Sequence, residues 1–592
     1  MPDFDAALPD LDARFDRLVR DAGVPGVAWG VVRDGRLVHS GGAGTARDGE
    51  DARPDADTVF RIASMTKSFT AATILLLRDE GRLRLDDPVA GHVSALRDWR
   101  QLTADAPPIT IRDLLTMSAG LATDDPWGDR QQDLPIDAFE RLLAEGPSLA
   151  RPVGTAFEYS NLGYGILGRV VTAAAGAEYR DVVHDRLLAP LGMRASVFDG
   201  DEVPAERLAH GYVRRAEVLV REGEDGYGAL ASMGGLFSSV RDLAAWVIGW
   251  LDAFPARDDP EGPHPLRRSS RREAQQVHRV ILPEVRPHAP ETAPTILAGG
   301  YGFGLVVVQD PDLGTCVWHA GGYPGFGSIM CWHPASGLGM VGLGNLRYAP
   351  LGPVASKALD ALVRADLVPR RKLVALPAAE RARDAVEGLL AGWDDAAAEA
   401  LFAMNMDLDE PRDVRRAAIE EAVAAIGGPL RRDAARLSTT TTVAASPAAL
   451  SWWLRGERGC LRVSILVTPE PRPRLQSLVV SVVADPPDRL RRLAGRVLSL
   501  AAGQSPAWPP DEAVAEAFDG EATARSLRAA GARFGTMRLG LPVAGDGSTT
   551  ATWSIDGERG AAELRVVVEG EDGPVVAVSL VAPSRAVPDE GW

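Results

Sequence analysis

From Phe69 to Leu77 every residue is apolar or threonine, so a helix over this stretch has to be buried on all sides. The pattern runs that helix to near Gly81 and feeds it from a short strand, Val59–Ala63, that leads straight into Ser64. Ser64 and Lys67 are then one helical turn apart on the same face, with β-carbons roughly 5–6 Å apart. Free N–H groups and the helix dipole favour negative charge developing at Ser64. A hydroxyl beside an amine in an apolar setting is the arrangement of a lysine-activated nucleophile. Ser64 as a plain helix cap is the alternative.

Residue scarcity sharpens this reading. Of the 64 basic residues only Lys67, Lys357 and Lys372 are lysines. Wherever charge alone suffices the chain uses Arg, which cannot give up its proton, whereas a buried Lys can. Neutrality near pH 7 requires the Lys67 pKa to fall by roughly three units, about 4 kcal/mol, and burial or a nearby positive group pushes that way. Asn is equally scarce, at Asn161, Asn345 and Asn405, and Asn161 closes Tyr159-Ser160-Asn161 in a chain with eight Tyr. A third element, His319-Ala320-Gly321-Gly322, follows an apolar run ending in Cys316-Val317-Trp318.

The 592 residues leave room for two to four domains. A net charge of −17 argues against nucleic acid or an anionic membrane as partner. Three cysteines form no disulfide framework, which fits a reducing compartment. The acidic start has no secretory pattern and no apolar run reaches the roughly twenty residues of a membrane span, so a cytoplasmic protein is expected. The nine His show no metal-ligand spacing, and neither a metal nor a cofactor is expected.

Residues 8–22 read as an amphipathic helix, and Val27–Val32 and Leu37–Ser40 as a hairpin about Asp34-Gly35. Residues 82–250 read as mostly helical. The Pro- and Arg-rich stretch 252–296 reads as a surface excursion with one short helix around Arg271–His278, its run Leu266–Glu273 a solvated face. Tyr301–Val308, Thr315–Ala320, Phe326–His333 and Leu338–Leu343 read as consecutive antiparallel strands, followed by a helix near 352–366 and a linker from Pro369 to Pro377.

Beyond the linker the chain repeats itself. Trp452-Trp453-Leu454-Arg455-Gly456-Glu457-Arg458-Gly459 is matched by Trp553-Ser554-Ile555-Asp556-Gly557-Glu558-Arg559-Gly560, Leu461-Arg462-Val463 by Leu564-Arg565-Val566, and Ser477-Leu478-Val479 by Ser579-Leu580-Val581. The offset stays near 102 residues and reads as duplication. The expected domains are 1–370, 375–485 and 486–592, the last two being tandem α+β units. Gly-Glu-Arg-Gly reads as a hairpin turn, with ligand binding by Arg458 and Arg559 as the alternative. Trp452 and Trp453 read as core or inter-domain anchors.

The first 370 residues resemble the serine beta-lactamase and DD-peptidase superfamily, on the class C-like branch that includes esterases and D-aminopeptidases. Ser64-Met65-Thr66-Lys67 is similar to its first motif and Tyr159-Ser160-Asn161 to its Y-x-N motif. Ile109-Thr110-Ile111-Arg112-Asp113-Leu114-Leu115-Thr116-Met117-Ser118-Ala119-Gly120-Leu121, Pro190-Leu191-Gly192-Met193 and Gly234-Gly235-Leu236-Phe237-Ser238-Ser239 are further family-like stretches. The resemblance implies an antiparallel sheet flanked by helices with an all-helical subdomain, and accessory C-terminal domains are familiar in the family. His319 stands where class C beta-lactamases carry the Lys of K-T-G, as in the esterase and D-aminopeptidase relatives. That implies weak anchoring of a substrate carboxylate and favours esters, amides or peptides over beta-lactams.

The resemblance assigns roles residue by residue. Ser64 is the nucleophile and Lys67 its base. Tyr159 relays the proton to the leaving group. Asn161 donates to a substrate carbonyl and helps fix Lys67. His319 binds substrate or assists proton transfer, and Gly321 and Gly322 let substrate approach the strand closely. The N–H groups of Gly322 and Ser64 form the oxyanion hole. The reading is a serine hydrolase that forms an acyl-enzyme with esters or small amides and peptides, D-configured residues among the candidates. A peptide cyclase or transferase and a catalytically idle binding protein are the rivals. Expected partners are a small-molecule or peptide substrate, with self-association left open.

Overall fold

The computed structural model describes residues 4–216, 218–286, 295–310, 313–364, 375–433, 446–504, 508, 513–558, 560–570 and 572–583. The Pro369-Arg370-Arg371-Lys372 part of the expected linker, and Arg559, lie outside them. The described residues form two compact units, one within Met1–Arg286 and Ile296–Arg371 and one within Lys372–Trp592.

The first unit is organised by an eight-stranded sheet. Its strands are β1 (Gly26–Arg33), β2 (Arg36–Gly44), β3 (Arg279–Arg286), β4 (Thr295–Tyr301), β5 (Val306–Asp310), β6 (Gly314–Tyr323), β7 (Phe326–His333) and β8 (Leu338–Gly344), in the order β2-β1-β8-β7-β6-β5-β4-β3. The described pairings are antiparallel. Central strands β1, β7 and β8 are buried on both faces, so they read as continuous apolar runs rather than alternating ones.

Helices cover both faces. Leu11, Phe15 and Leu18 of α1 (Phe4–Asp21) share one core cluster with Trp29, Val31, Ile329 and Met340 of the sheet, together with Leu351, Ala355 and Leu359. The opposite residues of the same strands, Ala28, Val32, Met330, Trp332 and Val341, pack with Phe69 of α2 (Thr66–Asp79) and Trp246 of α4 (Val240–Asp252). A long buried helix, α3 (Asn161–Ala175), belongs to the helical region and packs against α2. The last helix of the unit is α5 (Leu351–Arg364).

Three local readings differ from the structure. Residues 82–250 also contain a hairpin, Tyr212–Arg215 with Val218–Arg221, and a short strand, Phe237–Ser239, paired with Val59–Arg61. The stretch 252–296 supplies β3 and part of β4. The run Leu266–Glu273 is a solvated face only in part: Arg267 is exposed, but Arg268 and Arg271 are buried, Arg268 against Asp259 and Glu261, and Arg271 against Asp252 and the Gly249 carbonyl. A guanidinium is buried readily when carboxylates and carbonyls meet it, and those partners come from tertiary structure that a local charge pattern does not reveal.

The second unit holds two similar modules. In the first, helices α6 (Pro377–Ala391) and α7 (Arg412–Ile426) pack on a four-stranded sheet of β9 (Arg431–Arg432), β10 (Ala449–Arg455), β11 (Gly459–Val467) and β12 (Leu475–Ala484). In the second, α8 (Asp488–Ala501) and α9 (Gly520–Phe534) accompany β13 (Met537–Gly545), β14 (Thr550–Gly557), β15 (Gly560–Val568) and β16 (Val575–Val581). Trp452 and Trp553, the matched residues of the repeat, are core residues of their modules. The Gly456–Arg458 turn joins β10 to β11. Arg458 donates to the Ala424 and Ala425 carbonyls at the end of α7, a cation closing a helix C-terminus.

Candidate active site

Of the twenty residues from Thr58 to Leu77, Ser64 alone is not buried. It sits in the single turn Ala63–Met65, between the strand Val59–Arg61 and α2. Ala63 has a φ of +50°, a left-handed conformation that costs a non-glycine residue on the order of 1–3 kcal/mol and redirects the chain just before Ser64. Several bonds hold the turn. Ile62 N–H donates to Leu236 O, Thr66 Oγ1 donates to Ala63 O and accepts from Leu236 N, and Ser328 Oγ donates to Ile62 O.

Lys67 is fully buried in the first turn of α2. Its Nζ lies 2.9 Å from Ser64 Oγ, 2.7 Å from Asn161 Oδ1 and 2.7 Å from Met233 O. Burial pushes its pKa down to about 8, and Asp125, Asp129 and Asp124 pull the other way. The Tyr159 ring centroid is 5.0 Å from Nζ; burial raises its pKa well above the ordinary phenol value, and Ser64 beside it pulls the other way. The sequence-predicted Ser64, Lys67, Tyr159 and Asn161 are thus brought together.

Asn161 is the first residue of α3, and Ser160 caps that helix through Gly163 N. Asp124 reinforces the cap, accepting from the N–H groups of Asn161 and Leu162 at 2.6 and 2.8 Å. Asn161 Nδ2 donates to Asp125 Oδ1 at 2.7 Å, and the residue is fully buried. That geometry fixes Lys67. The side chain presents no surface for the substrate contact expected of it.

Strand β6 passes beside the turn. Its pairing with β5 stops at Trp318, so His319–Tyr323 leave that edge of the strand to the Ala63–Met65 turn. His319 is 4% exposed; Nδ1 is 2.7 Å from Ala320 O and Nε2 is 3.1 Å from Tyr301 Oη. A carbonyl only accepts, so Nδ1 carries the proton and Nε2 accepts from the tyrosine hydroxyl. Burial, then the charge of Lys67, pushes the ring pKa down to about 3. A neutral, fully engaged imidazole has no free donor for a substrate carboxylate. The two glycines make room for protein atoms. A Cβ on Gly321 would stand 2.2 Å from Ile62 O and 2.3 Å from Ser328 Oγ, and one on Gly322 would stand 2.3 Å from Tyr348 Cδ1.

Sequence reasoning missed the Met233 carbonyl and the carboxylates Asp124, Asp125 and Asp129. Burial raises the Asp129 pKa to about 6. Nothing singles these acids out among 81, except that Asp124-Asp125 precedes Pro126 as helix-starting residues do. Among the described residues no cluster of His, Cys, Asp or Glu is arranged to hold a metal, and no helix is long and apolar enough to cross a membrane.

A buried lysine against a serine at a helix start, beside a tyrosine and the open edge of an antiparallel strand, is an arrangement suited to serine acyl-enzyme chemistry. Residues 11–364 match the family model described as Beta-lactamase, and the chain belongs to that family. Similar proteins include Beta-lactamase-like protein 2 of Dictyostelium discoideum, 28% identical over 43% of this chain and 47% of that protein. The D-alanyl-D-alanine-carboxypeptidase/endopeptidase AmpH of Escherichia coli (strain K12) is 28% identical over 41% and 62%. Penicillin-binding protein 4 of Amycolatopsis lactamdurans is 33% identical over 33% and 50%. The chain spans between 47% and 62% of the length of the curated relatives named here. The fold is similar to that of the octameric penicillin-binding protein homologue from Pyrococcus abyssi, with a TM-score of 0.52, 18% identity and 98% of both chains covered.

Proposed function

We propose that this protein is a serine hydrolase that acylates Ser64 with esters or small amides and peptides. The observation that carries the reading is the hydrogen bonding of Lys67. Asn161 Oδ1 and Met233 O can only accept, so they claim two N–H bonds of the amine. In the neutral amine the lone pair is then left facing Ser64 Oγ at 2.9 Å. Lys67 takes the Ser64 proton as Oγ attacks the substrate carbonyl. The oxyanion meets the N–H groups of Ser64 and Gly322. Tyr159, beside Ser64, passes the proton to the leaving group. Water then attacks the Ser64 ester by the same route in reverse. Asn161 and His319 serve as positioning residues, Asn161 through Lys67 and His319 through the Tyr301–Ala320 edge. With no cation at His319, ester and amide turnover should far exceed penicillin turnover.

A transferase or cyclase reading differs only in the acceptor that replaces water. Self-association is proposed on the likeness to an octameric homologue, and a cytoplasmic location on the cysteine-poor composition. The test is partitioning. With methanol or hydroxylamine added, several esters of one acid should give the same ratio of captured to hydrolysed product, because all pass through one acyl-enzyme. Ratios that track the leaving group would mean direct attack by water, and the reading would fall.

A further inference from the structure

Asp129 is 4% exposed, and the described hydrogen bond to its carboxylate is from the Tyr348 hydroxyl to Oδ2 at 2.6 Å. Among the described residues no Arg or Lys lies within ion-pair distance of it; neighbouring Arg130 turns to Glu222 at 3.5 Å. Its two fellow acids are committed. Asp124 caps α3, and Asp125 holds Asn161. Tyr348 is 50% exposed and its ring lies over Gly322, on the open side of the site. The group that satisfies Asp129 is therefore the hydroxyl of a half-exposed side chain, which a ligand can displace.

Charge points the same way. Lys67 feels all three carboxylates of this loop, and its role as base requires it to be neutral. At that moment none of the three carboxylates has a described ion-pair partner. The same loop carries Gln132, fully buried with both amide atoms unpartnered, its side chain against Gly234 and Gly235 beside Ala63. The loop thus keeps hydrogen-bonding capacity that no described protein group uses, which in a buried setting is costly unless something fills it.

We propose that Asp129 determines specificity by taking the ammonium group of an acyl donor with a free amino group, an aminoacyl ester, amide or peptide N-terminus, in place of the Tyr348 hydroxyl. This rests on the acyl-enzyme reading above. A bound ammonium would also repel the proton on Lys67 and favour the neutral amine that attack requires.

The test uses the full chain and a neutral fluorophosphonate that labels Ser64. At neutral pH benzylamine, which is protonated, should slow labelling at concentrations about tenfold or more below those at which benzyl alcohol does, the usual scale for a charged hydrogen bond. In Asp129→Asn that advantage should fall toward parity. In Tyr348→Phe, which removes the competing hydroxyl, it should persist or grow. Equal protection by the two compounds in the wild type, or an undiminished advantage in Asp129→Asn, overturns the inference. A wild type that does not label at all would instead overturn the acyl-enzyme reading, and this inference with it. If Asp129→Asn does not fold, wild-type turnover of an aminoacyl anilide and its N-acetyl derivative decides. Preference for the free amine supports the inference, and parity or the reverse sinks it.

Discussion

Replacing Asp125 by Asn changes one charge and little else. The substituted side chain keeps its shape and a carbonyl oxygen for Asn161 Nδ2, so the scaffold around Lys67 is retained. Lys67 Nζ reaches Asn161 Oδ1 in 2.7 Å, and Asn161 Nδ2 reaches Asp125 Oδ1 in another 2.7 Å. With the two charges about 7 Å apart and an effective dielectric of about 20, Coulomb's law gives about 2 kcal/mol. At about 1.4 kcal/mol per pH unit, this is more than one unit. Asp125 is the largest of the influences that hold the Lys67 pKa up against burial, so its loss moves that pKa down from about 8. The neutral amine is the active form, and activity rises with pH as it appears. In the wild type kcat/KM for a neutral ester should therefore climb through about 8. In Asp125→Asn the rising limb should move to lower pH by at least about one unit. A limb that stays in place, or moves to higher pH, would refute Lys67 as the titrating base.

Two further substitutions separate chemistry from packing. Lys67→Arg keeps a positive charge that cannot be given up, and should lower kcat/KM for the same ester by about 10²–10⁴-fold; near-wild-type activity would reduce Lys67 to a structural cation. Gly321→Ala drives a Cβ against Ile62 O, Ser328 Oγ and Ala63, the last at 3.0 Å. It should cost about 1–3 kcal/mol in chemical denaturation and slow Ser64 labelling by displacing the turn, and unchanged stability would show that the strand and turn are not tightly coupled.

The sequence and the site correspond unevenly, for physical reasons. Ser64 and Lys67 are legible because a buried, unbroken apolar helix fixes their spacing and because lysine is so rare here. Tyr159 and Asn161 stand out for similar scarcity. The other two asparagines turn out to be structural: Asn345 accepts from Gly26 N and donates to Thr45 and Ala46 carbonyls, and Asn405 binds Asp409 and Gln476 O. Asp125, Asp129 and the Met233 carbonyl are not legible, because their place beside Lys67 comes from loops brought in by tertiary folding. A backbone carbonyl has no residue type to advertise it. The strand Arg279–Arg286 was missed for a related reason: Pro283, Glu284 and its arginines suit a sheet edge but mask the strand pattern. The roles of Gly321 and Gly322 depend on what stands over them, Ile62, Ser328 and Tyr348, and this too emerges only once the chain is folded.

Intact mass spectrometry after reaction with a neutral fluorophosphonate tests the central claim most directly. The account predicts one adduct on the wild-type chain, mapped to the peptide containing Ser64 and absent from Ser64→Ala. A single adduct that persists in Ser64→Ala, or that maps to another serine, would contradict it.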